Sequence, residues 1–466
     1  MEFRVRHLGG ERCVTGSCRL VQIRGHNILV DCGMVQGHDA SVPIEKWPVK
    51  PVEADFVFLT HAHIDHIGLL PTLIQQGFKG EIISSHPTAA LILPMLKDAM
   101  RFETLRVSER EKIAQTIEEL SWGFEYGETF DLGKDVVFEL GRAGHILGSC
   151  FIRFEDQKDG SAIVFSGDLG NYDTPILNDP ESAGRADVLF LESTYGDRLH
   201  EDRAHRMVRL AEVLDHCLSD GGKVFIPAFS LGRTQEILYE LDRIFSHAEY
   251  QSRFPRLASG ARPPVFVDSP LGLEITRIYS SLTDFWDEEA KSLLKAGDHP
   301  MDFERLYGIE KQVEHARLLE VRGPAVIIAG SGMCTGGRIV NHLAAGIERP
   351  ENDIVFVGYQ AAGTPGRAIQ EHARGNRTVI LNGKESKIQA GVHTLSGYSA
   401  HADQRGLLDW VERMPEKPGK IQLVHGEPKA QKVLAAKLVE RGYALNREKG
   451  RGTSFNNSIK IKSDKP

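Results

Sequence analysis

Three imidazoles and a carboxylate fall within six residues, His61-Ala-His63-Ile-Asp65-His66, directly after the apolar run Ala54-Asp-Phe-Val-Phe-Leu-Thr60. Side chains alternate on an extended backbone, so His61 and His63 point the same way. Neutral imidazole nitrogens combined with hard carboxylate oxygens suit a borderline divalent ion such as Zn²⁺. The apolar spacing from Ile67 to Phe78 predicts a helix, with Asp65 and His66 at its mouth. A metal centre at the end of a buried strand is therefore the expectation.

Such a centre needs several strands that end at one rim. Asn27-Ile-Leu-Val-Asp31-Cys-Gly33, Ala162-Ile-Val-Phe-Ser-Gly-Asp168 and Ile421-Gln-Leu-Val-His425-Gly426 each read as a short apolar strand ending in a potential ligand beside a glycine. His145 stands in the glycine-flanked loop Arg142-Ala-Gly-His-Ile-Leu-Gly-Ser149. α/β folds gather their sites along the rim where strands end. Taken singly, each Asp or His reads equally well as a turn residue. Their shared context carries the argument.

The rest of the chain supplies the frame. Strand signals at 3–7, 19–24 and 27–31 precede βα alternation from about 54 to 100 and a charged amphipathic helix over 102–121. Strands return at 136–140, 150–155, 162–166 and 188–192. From about 205 to 382, helical patterns alternate with the buried strands Lys223–Phe229, Pro264–Asp268, Ala325–Ala329 and Asp353–Gly358, which predicts a doubly wound α/β module. Asp168 precedes that module and His425 follows it, so the module interrupts the metal-binding domain. Lys449–Pro466 reads as a strand plus a loose tail.

Composition sets the outer bounds. At 466 residues and 41% hydrophobic, the chain can bury one large or two ordinary cores. No apolar run reaches transmembrane length, and no secretory signal opens the chain. The cysteines at 13, 18, 32, 150, 217 and 334 form no CxxC pair, and Cys13 and Cys18 lack the further partners of a metal clip. Free thiols in a reducing cytoplasm are expected. The net charge of −8 argues against a broad electropositive surface, so an anionic substrate has to be attracted locally.

In this order, Asp31, His61-Ala-His-Ile-Asp-His66, His145 and Asp168 resemble the ligand set of the metallo-β-lactamase superfamily. Leu191-Glu-Ser-Thr-Tyr-Gly-Asp197, Ser399-Ala-His-Ala-Asp403 and Val424-His-Gly-Glu427 resemble the A, B and C motifs of its β-CASP nucleases. The resemblance runs from the first strand to about residue 430. It implies an α/β architecture: a four-layer αββα metallo-β-lactamase domain at 1–200 and 384–466, with a doubly wound α/β β-CASP domain inserted at 201–383. It also implies two Zn²⁺ per chain, with Mn²⁺ as an alternative in vitro. His61, His63 and His145 would hold one ion, Asp65, His66 and His425 the other, and Asp168 would bridge. Asp31 would orient the ligands, and with Asp65 it is counted among the catalytic residues.

Zinc lowers the pKa of a bound water to about 7 and so provides a nucleophile at neutral pH. Breaking a phosphodiester also expels an alkoxide, which benefits from a general acid. His401 is the expected acid, with Glu192 beside it favouring the imidazolium. By the resemblance, a histidine in the third motif, His425, points to RNA rather than DNA. Phe229-Ser-Leu-Gly-Arg-Thr-Gln235 and Ala329-Gly-Ser-Gly-Met-Cys-Thr-Gly-Gly-Arg338 read as phosphate cradles. Ser230, Arg233, Ser331, Gly332 and Arg338 are the expected contacts, and Tyr359 a base-stacking residue. His393 has no motif that assigns it a role.

The expectation is a cytoplasmic, zinc-dependent endoribonuclease leaving 5′-phosphate and 3′-hydroxyl ends. Its partner would be single-stranded RNA, with no membrane involved and a homodimer as the candidate assembly. It is similar to bacterial and archaeal relatives of the nuclease subunit of the polyadenylation cleavage factor, without an N-terminal RNA-binding extension or a long C-terminal domain. The rival readings are a 5′–3′ exoribonuclease on the same site, a small-molecule hydrolase of thioesters or lactams, and a non-catalytic RNA-binding subunit.

Overall fold

The computed structural model describes residues 3–37, 39–201, 203–258, 262–373, 375 and 377–446, and the backbone of Ile459–Ile461. The chain divides into two compact units, Met1–Leu199 with His401–Pro466, and His200–Ala400.

In the first unit two sheets face each other. One runs in the order Ile459–Ile461, Phe3–Gly9, Cys18–Ile23, His26–Cys32, Phe56–Phe58, Glu81–Ser85, Ser121–Phe124. The other runs Lys420–Val424, Val188–Glu192, Ala162–Phe165, Cys150–Asp156, Val136–Arg142, Thr129–Gly133. Val5, Val30 and Phe58 from the first sheet meet Phe138, Phe154, Phe165 and Phe190 from the second in one shared core. Phe58 sits at its middle, its ring centroid 4.9 Å from Phe138 and 4.8 Å from Phe154, in edge-to-face contacts. Helices Gln404–Glu412 and Pro428–Glu440 cover the outer face of the second sheet through Leu407, Trp410, Leu434 and Leu438. Helices His86–Ala99 and Val107–Leu120 pack on the outside of the first sheet. The result is four layers, αββα.

The helix expected over 67–78 is two short ones, Ile64–Ile67 and Leu70–Gln75. Pro71 belongs to the first turn of the second helix, where its missing N–H costs no hydrogen bond. Asp65 and His66 therefore lie inside a helical turn, with His63 at its N-cap position. The helix expected from 102 begins at Val107, after a tight turn at Met100–Phe102, and the strand Thr129–Gly133 has no counterpart in the sequence reading. Five cysteines are buried, Cys13 is half-buried, and all six are free thiols. Of the Lys449–Pro466 segment, only the strand Ile459–Ile461 falls within the described residues, paired antiparallel to Phe3–Val5.

The second unit carries a six-stranded, all-parallel sheet. Its order is Leu306–Gly308, Val265–Val267, Ala325–Ala329, Lys223–Pro227, Asp353–Phe356, Gly391–Thr394. Runs such as Ala325-Val-Ile-Ile-Ala329 are buried throughout, as a parallel strand covered on both faces requires. Gly391–Thr394 pairs with Asp353–Phe356, and this pairing draws residues 384–400 into the second unit, beyond the boundary expected at 383. No helix among the described residues is long and apolar enough to cross a membrane.

Candidate metal centre

The site lies within the first unit, where strands from both sheets end. Asp31 follows the run Ile28–Val30, and Cys18 pairs with Cys32 while Arg19 pairs with Val30, which leaves Asp31 as the extra residue of a β-bulge. It adopts a left-handed backbone (φ 60°), which Asp tolerates better than most residues. The bulge re-aims its carboxylate inward. There Oδ1 accepts from the Thr60 N–H and hydroxyl, both at 2.9 Å, and Oδ2 accepts from the Ser17 hydroxyl at 3.1 Å and His66 Nδ1 at 2.8 Å. Gly33 is required next door, because a Cβ there would sit 1.6 Å from the Asp65 carbonyl oxygen. Ser17 N–H donates to that same carbonyl at 2.8 Å.

His61 and His63 follow Thr60 on the extended exit of the strand. His145 is held by its own loop: its N–H donates to Ser149 Oγ at 2.9 Å, and Ser85 and Thr88 bond the Gly148 carbonyl at 2.6 and 2.8 Å. Asp168 comes from the turn after Ala162–Phe165. His425 comes directly after Lys420–Val424, also with a left-handed backbone (φ 49°), and its Nδ1 lies 3.1 Å from Thr194 Oγ1.

The donors converge in overlapping groups of three, among them His61–His63–His145, Asp65–His66–His425 and His61–His66–Asp168, and His401 falls within the same reach of His145 and Asp168. His63 Nδ1 lies 3.1 Å from His61 Nε2 and 3.2 Å from His145 Nε2. Three imidazole nitrogens converge there, an arrangement that a cation satisfies. Asp168 Oδ2 is 3.6 Å from His61 Nε2 and 3.3 Å from His66 Nε2, while its Oδ1 is 3.3 Å from His425 Nδ1. His425 Nε2 is 3.6 Å from Asp65 Oδ2. The buried atoms His66 Nε2, His425 Nε2 and Asp168 Oδ1 have no hydrogen-bond partner. Buried polar atoms are normally satisfied, so orphaned ligand atoms facing one centre fit a bound metal.

The electrostatics agree. Burial and the neighbouring imidazoles push His61 and His145 well below the usual histidine range, which keeps them neutral, as ligands must be. Burial also opposes charge on Asp168 and on His66. The imidazoles of His425, His66 and His61 nevertheless hold Asp168 well below the usual carboxylate range, and Asp168, Asp31 and Asp65 raise His66 well above the usual histidine range. Positive charge is favoured where Asp168, Asp31 and Asp65 face His66 and disfavoured at His61 and His145.

His401 borders this cluster. Its Nδ1 is 3.1 Å from Glu192 Oε1 and 3.9 Å from Asp168 Oδ2. Burial disfavours the imidazolium, but Glu192 and Asp168 outweigh it and the pKa lies above the ordinary value. Glu192 is fully buried, and its oxygens also accept the N–H groups of Leu169 at 2.8 Å and Thr194 at 3.1 Å. With 17% of its side chain exposed, His401 is a solvent-reached member of the group.

The description "Metallo-beta-lactamase superfamily" matches residues 12–227, "Beta-Casp domain" matches 234–369, and "Zn-dependent metallo-hydrolase RNA specificity domain" matches 385–446. Ribonuclease TTHA0252 of Thermus thermophilus is 38% identical over 95% of this chain and 98% of its own length. This chain belongs to the β-CASP group of the metallo-β-lactamase superfamily. The transcription termination factor FttA of Methanocaldococcus jannaschii is 31% identical over 91% of this chain and 67% of its own length. A crystal structure of a protein of unknown function from Enterococcus faecalis V583 shares the fold at 12% identity, with a TM-score of 0.58 over 99% of this chain and 100% of that one.

In the β-CASP domain, loops following the parallel strands converge at the carboxyl ends of the sheet. Ser230 Oγ lies 3.2 Å from Ser269 Oγ, and Gln360 Nε2 donates to the carbonyls of Gly332 at 2.8 Å and Gly358 at 3.3 Å. Ser331 Oγ takes the Thr335 N–H at 3.0 Å, and Tyr359 is half-buried. The two arginines expected on phosphate have internal partners instead. Arg233 is buried on Glu236 in its own helix. Arg338 spans Asp268 Oδ1 and the carbonyls of Ile309 and Glu310, each at 2.8 Å. A guanidinium with such acceptors near at hand loses little by turning inward, which a sequence pattern does not reveal. Asp268 also joins His315 and His342, each at 2.6 Å, and His393 bonds Asp353 at 2.8 Å. Sequence reading passed over Ser17, Arg19 and Thr60, since nothing in their local pattern marks a supporting role.

Proposed function

We propose that this chain is a zinc-dependent ribonuclease that cuts single-stranded RNA internally, leaving 5′-phosphate and 3′-hydroxyl ends, in the cytoplasm. The observation that carries this reading is the His401–Glu192 pair set against Asp168 in the seven-ligand cluster. A metallohydrolase of activated esters needs no such acid, whereas a phosphodiester with an alkoxide leaving group does. The match to an RNA specificity domain and the ribonuclease name of a 38%-identical relative support the same substrate.

His61, His63 and His145 would hold one Zn²⁺ and Asp65, His66 and His425 the second, with Asp168 between them. Bound there, the metals would supply Lewis acidity toward a phosphate oxygen and a water of lowered pKa. Asp31 and Thr60 fix the tautomers: His66 gives its Nδ1–H to Asp31 and His61 Nδ1 lies 3.1 Å from Thr60 Oγ1, so each presents Nε2 to the cluster. Glu192 commits His401 Nδ1–H, leaving the Nε2 proton for transfer to the departing 3′ oxygen. Ser230, Ser331, Gly332 and Tyr359 are assigned to RNA contact in the β-CASP domain. Arg233 and Arg338, given their internal partners, act there by bracing the loops.

Digestion of one circular RNA by wild type and His401→Ala tests the proposal. Cleavage by wild type, lost in a variant that keeps its metals, is the expected result. Activity confined to linear RNA with free 5′ ends would replace the endonuclease with a 5′ exonuclease on the same site. Absence of RNA cleavage by the metal-loaded protein would overturn the assignment.

A further inference from the structure

A buried cation stands behind the metal centre. Arg19 is only 4% exposed, in the strand Cys18–Ile23. Its Nη1 donates to Ser17 Oγ at 2.8 Å and its Nη2 to the Gly10 carbonyl at 3.4 Å, while Nε has no partner. Ser17 Oγ donates in turn to Asp31 Oδ2 at 3.1 Å, and the same oxygen accepts His66 Nδ1 at 2.8 Å. Arg19, Ser17, Asp31, His66, Asp168 and His425 all line one small cavity of about 10 Å³. The line Arg19–Ser17–Asp31–His66 thus runs from the protein interior to a ligand.

Burying a guanidinium is costly, and placing it behind a site that gathers cations adds repulsion. Core packing alone gives no reason for it. The hydrogen bonds do. A serine hydroxyl has one proton and can turn it toward any acceptor. Once Arg19 donates to the Ser17 oxygen, that proton is driven to the opposite side, where Asp31 lies. Ser17 then donates steadily to Asp31, which is held from both oxygens and keeps one orientation for His66.

We infer that Arg19 and Ser17 are positioning residues of the metal centre, acting through Asp31 to set the affinity of the cation held by Asp65, His66 and His425. The inference rests on the cluster being a metal centre and is independent of the RNA assignment. Two opposed outcomes separate it from simple electrostatics. Removing a buried positive charge without any loss of positioning would tighten metal binding, whereas loss of positioning loosens it.

Zinc dissociation constants, measured by competition with a chromophoric chelator for wild type, Ser17→Ala, Arg19→Met and the double variant, test this without RNA. Each single variant is expected to weaken zinc binding at the Asp65, His66 and His425 site about 10- to 100-fold. The double variant should be no worse than the poorer single, because both act along one line. The site of His61, His63 and His145 should change less. Thermal melts in chelator report whether the fold survives, and Ser17→Ala keeps the test open should Arg19→Met fail to fold. Equal or tighter zinc binding by the variants would overturn the inference, as would equal weakening of both sites. A wild-type protein that binds no zinc would instead remove the metal centre itself.

Discussion

Glu192 Oε1 lies 3.1 Å from His401 Nδ1 and 2.8 Å from the backbone nitrogen of Leu169, the residue after Asp168. One buried carboxylate oxygen therefore ties the candidate proton donor to the turn that carries Asp168. His401 is further fixed through its main chain, since Asn171 Nδ2 donates to its carbonyl at 2.9 Å and Ala402 N–H to the Leu169 carbonyl at 2.7 Å. His401 and Asp168 share one support.

With its Nδ1 engaged by Glu192, His401 is expected to act separately from metal binding. His401→Ala is expected to lower kcat on RNA by about 10²- to 10⁴-fold, the usual range for a lost acid–base group, with zinc content unchanged. Glu192→Gln should cost less, because the amide oxygen can still accept from Nδ1. Parallel kinetics and metal analysis check both; loss of zinc from His401→Ala would make it a ligand instead.

The two donor triads should empty independently. In His425→Ala the triad of His61, His63 and His145 is intact, so zinc content should fall from two ions per chain to one. Asp168→Ala removes the carboxylate facing both groups and should lose both. Elemental analysis after exhaustive dialysis gives the stoichiometry directly.

Asp242, in the second unit, is buried near Asp298 and Asp302, and burial with these like charges raises its pKa to about 7 despite Arg262. In the unfolded chain the same group titrates near ~4. Between these values the folded state binds more protons, so stability falls as pH rises through the window and the full penalty stands above pH 7. Asp242→Asn removes that titration. The variant should melt above wild type at pH 8 and level with it at pH 4, as read by calorimetry on the second unit's transition.

Phe58 joins the two sheets of the first unit and ends the strand that delivers Thr60 and His61. Its complete burial and two aromatic contacts place Phe58→Ala in the range of about 3–5 kcal/mol of destabilisation. The midpoint of urea unfolding of this unit should fall accordingly, with the second unit's transition unmoved. A loss below about 1 kcal/mol would mean that the core collapses readily around the gap.

Much of the site was legible along the chain because its signals are local. His61 to His66 is a cluster in consecutive residues, and Asp31, Asp168 and His425 each follow an apolar run whose strand character is a matter of short-range periodicity. The parallel sheet of the second unit was equally plain, as its strands are buried on both faces and read as continuous apolar runs. Patterns of this kind depend on neighbours a few residues away, and the sequence carries those in order.

Only the tertiary structure decided what each side chain meets. The left-handed backbones that aim Asp31 and His425 arise from a bulge and a turn, not from a residue type that demands them. Arg233 and Arg338 read as free guanidinium groups until Glu236 and Asp268 come beside them. Ser17 and Arg19 look like ordinary strand residues, yet they stand behind His66. Hydrogen bonds and charge pairs act over about 3 Å of space regardless of separation along the chain, so composition and spacing determined which ligands exist and the fold alone determined their partners.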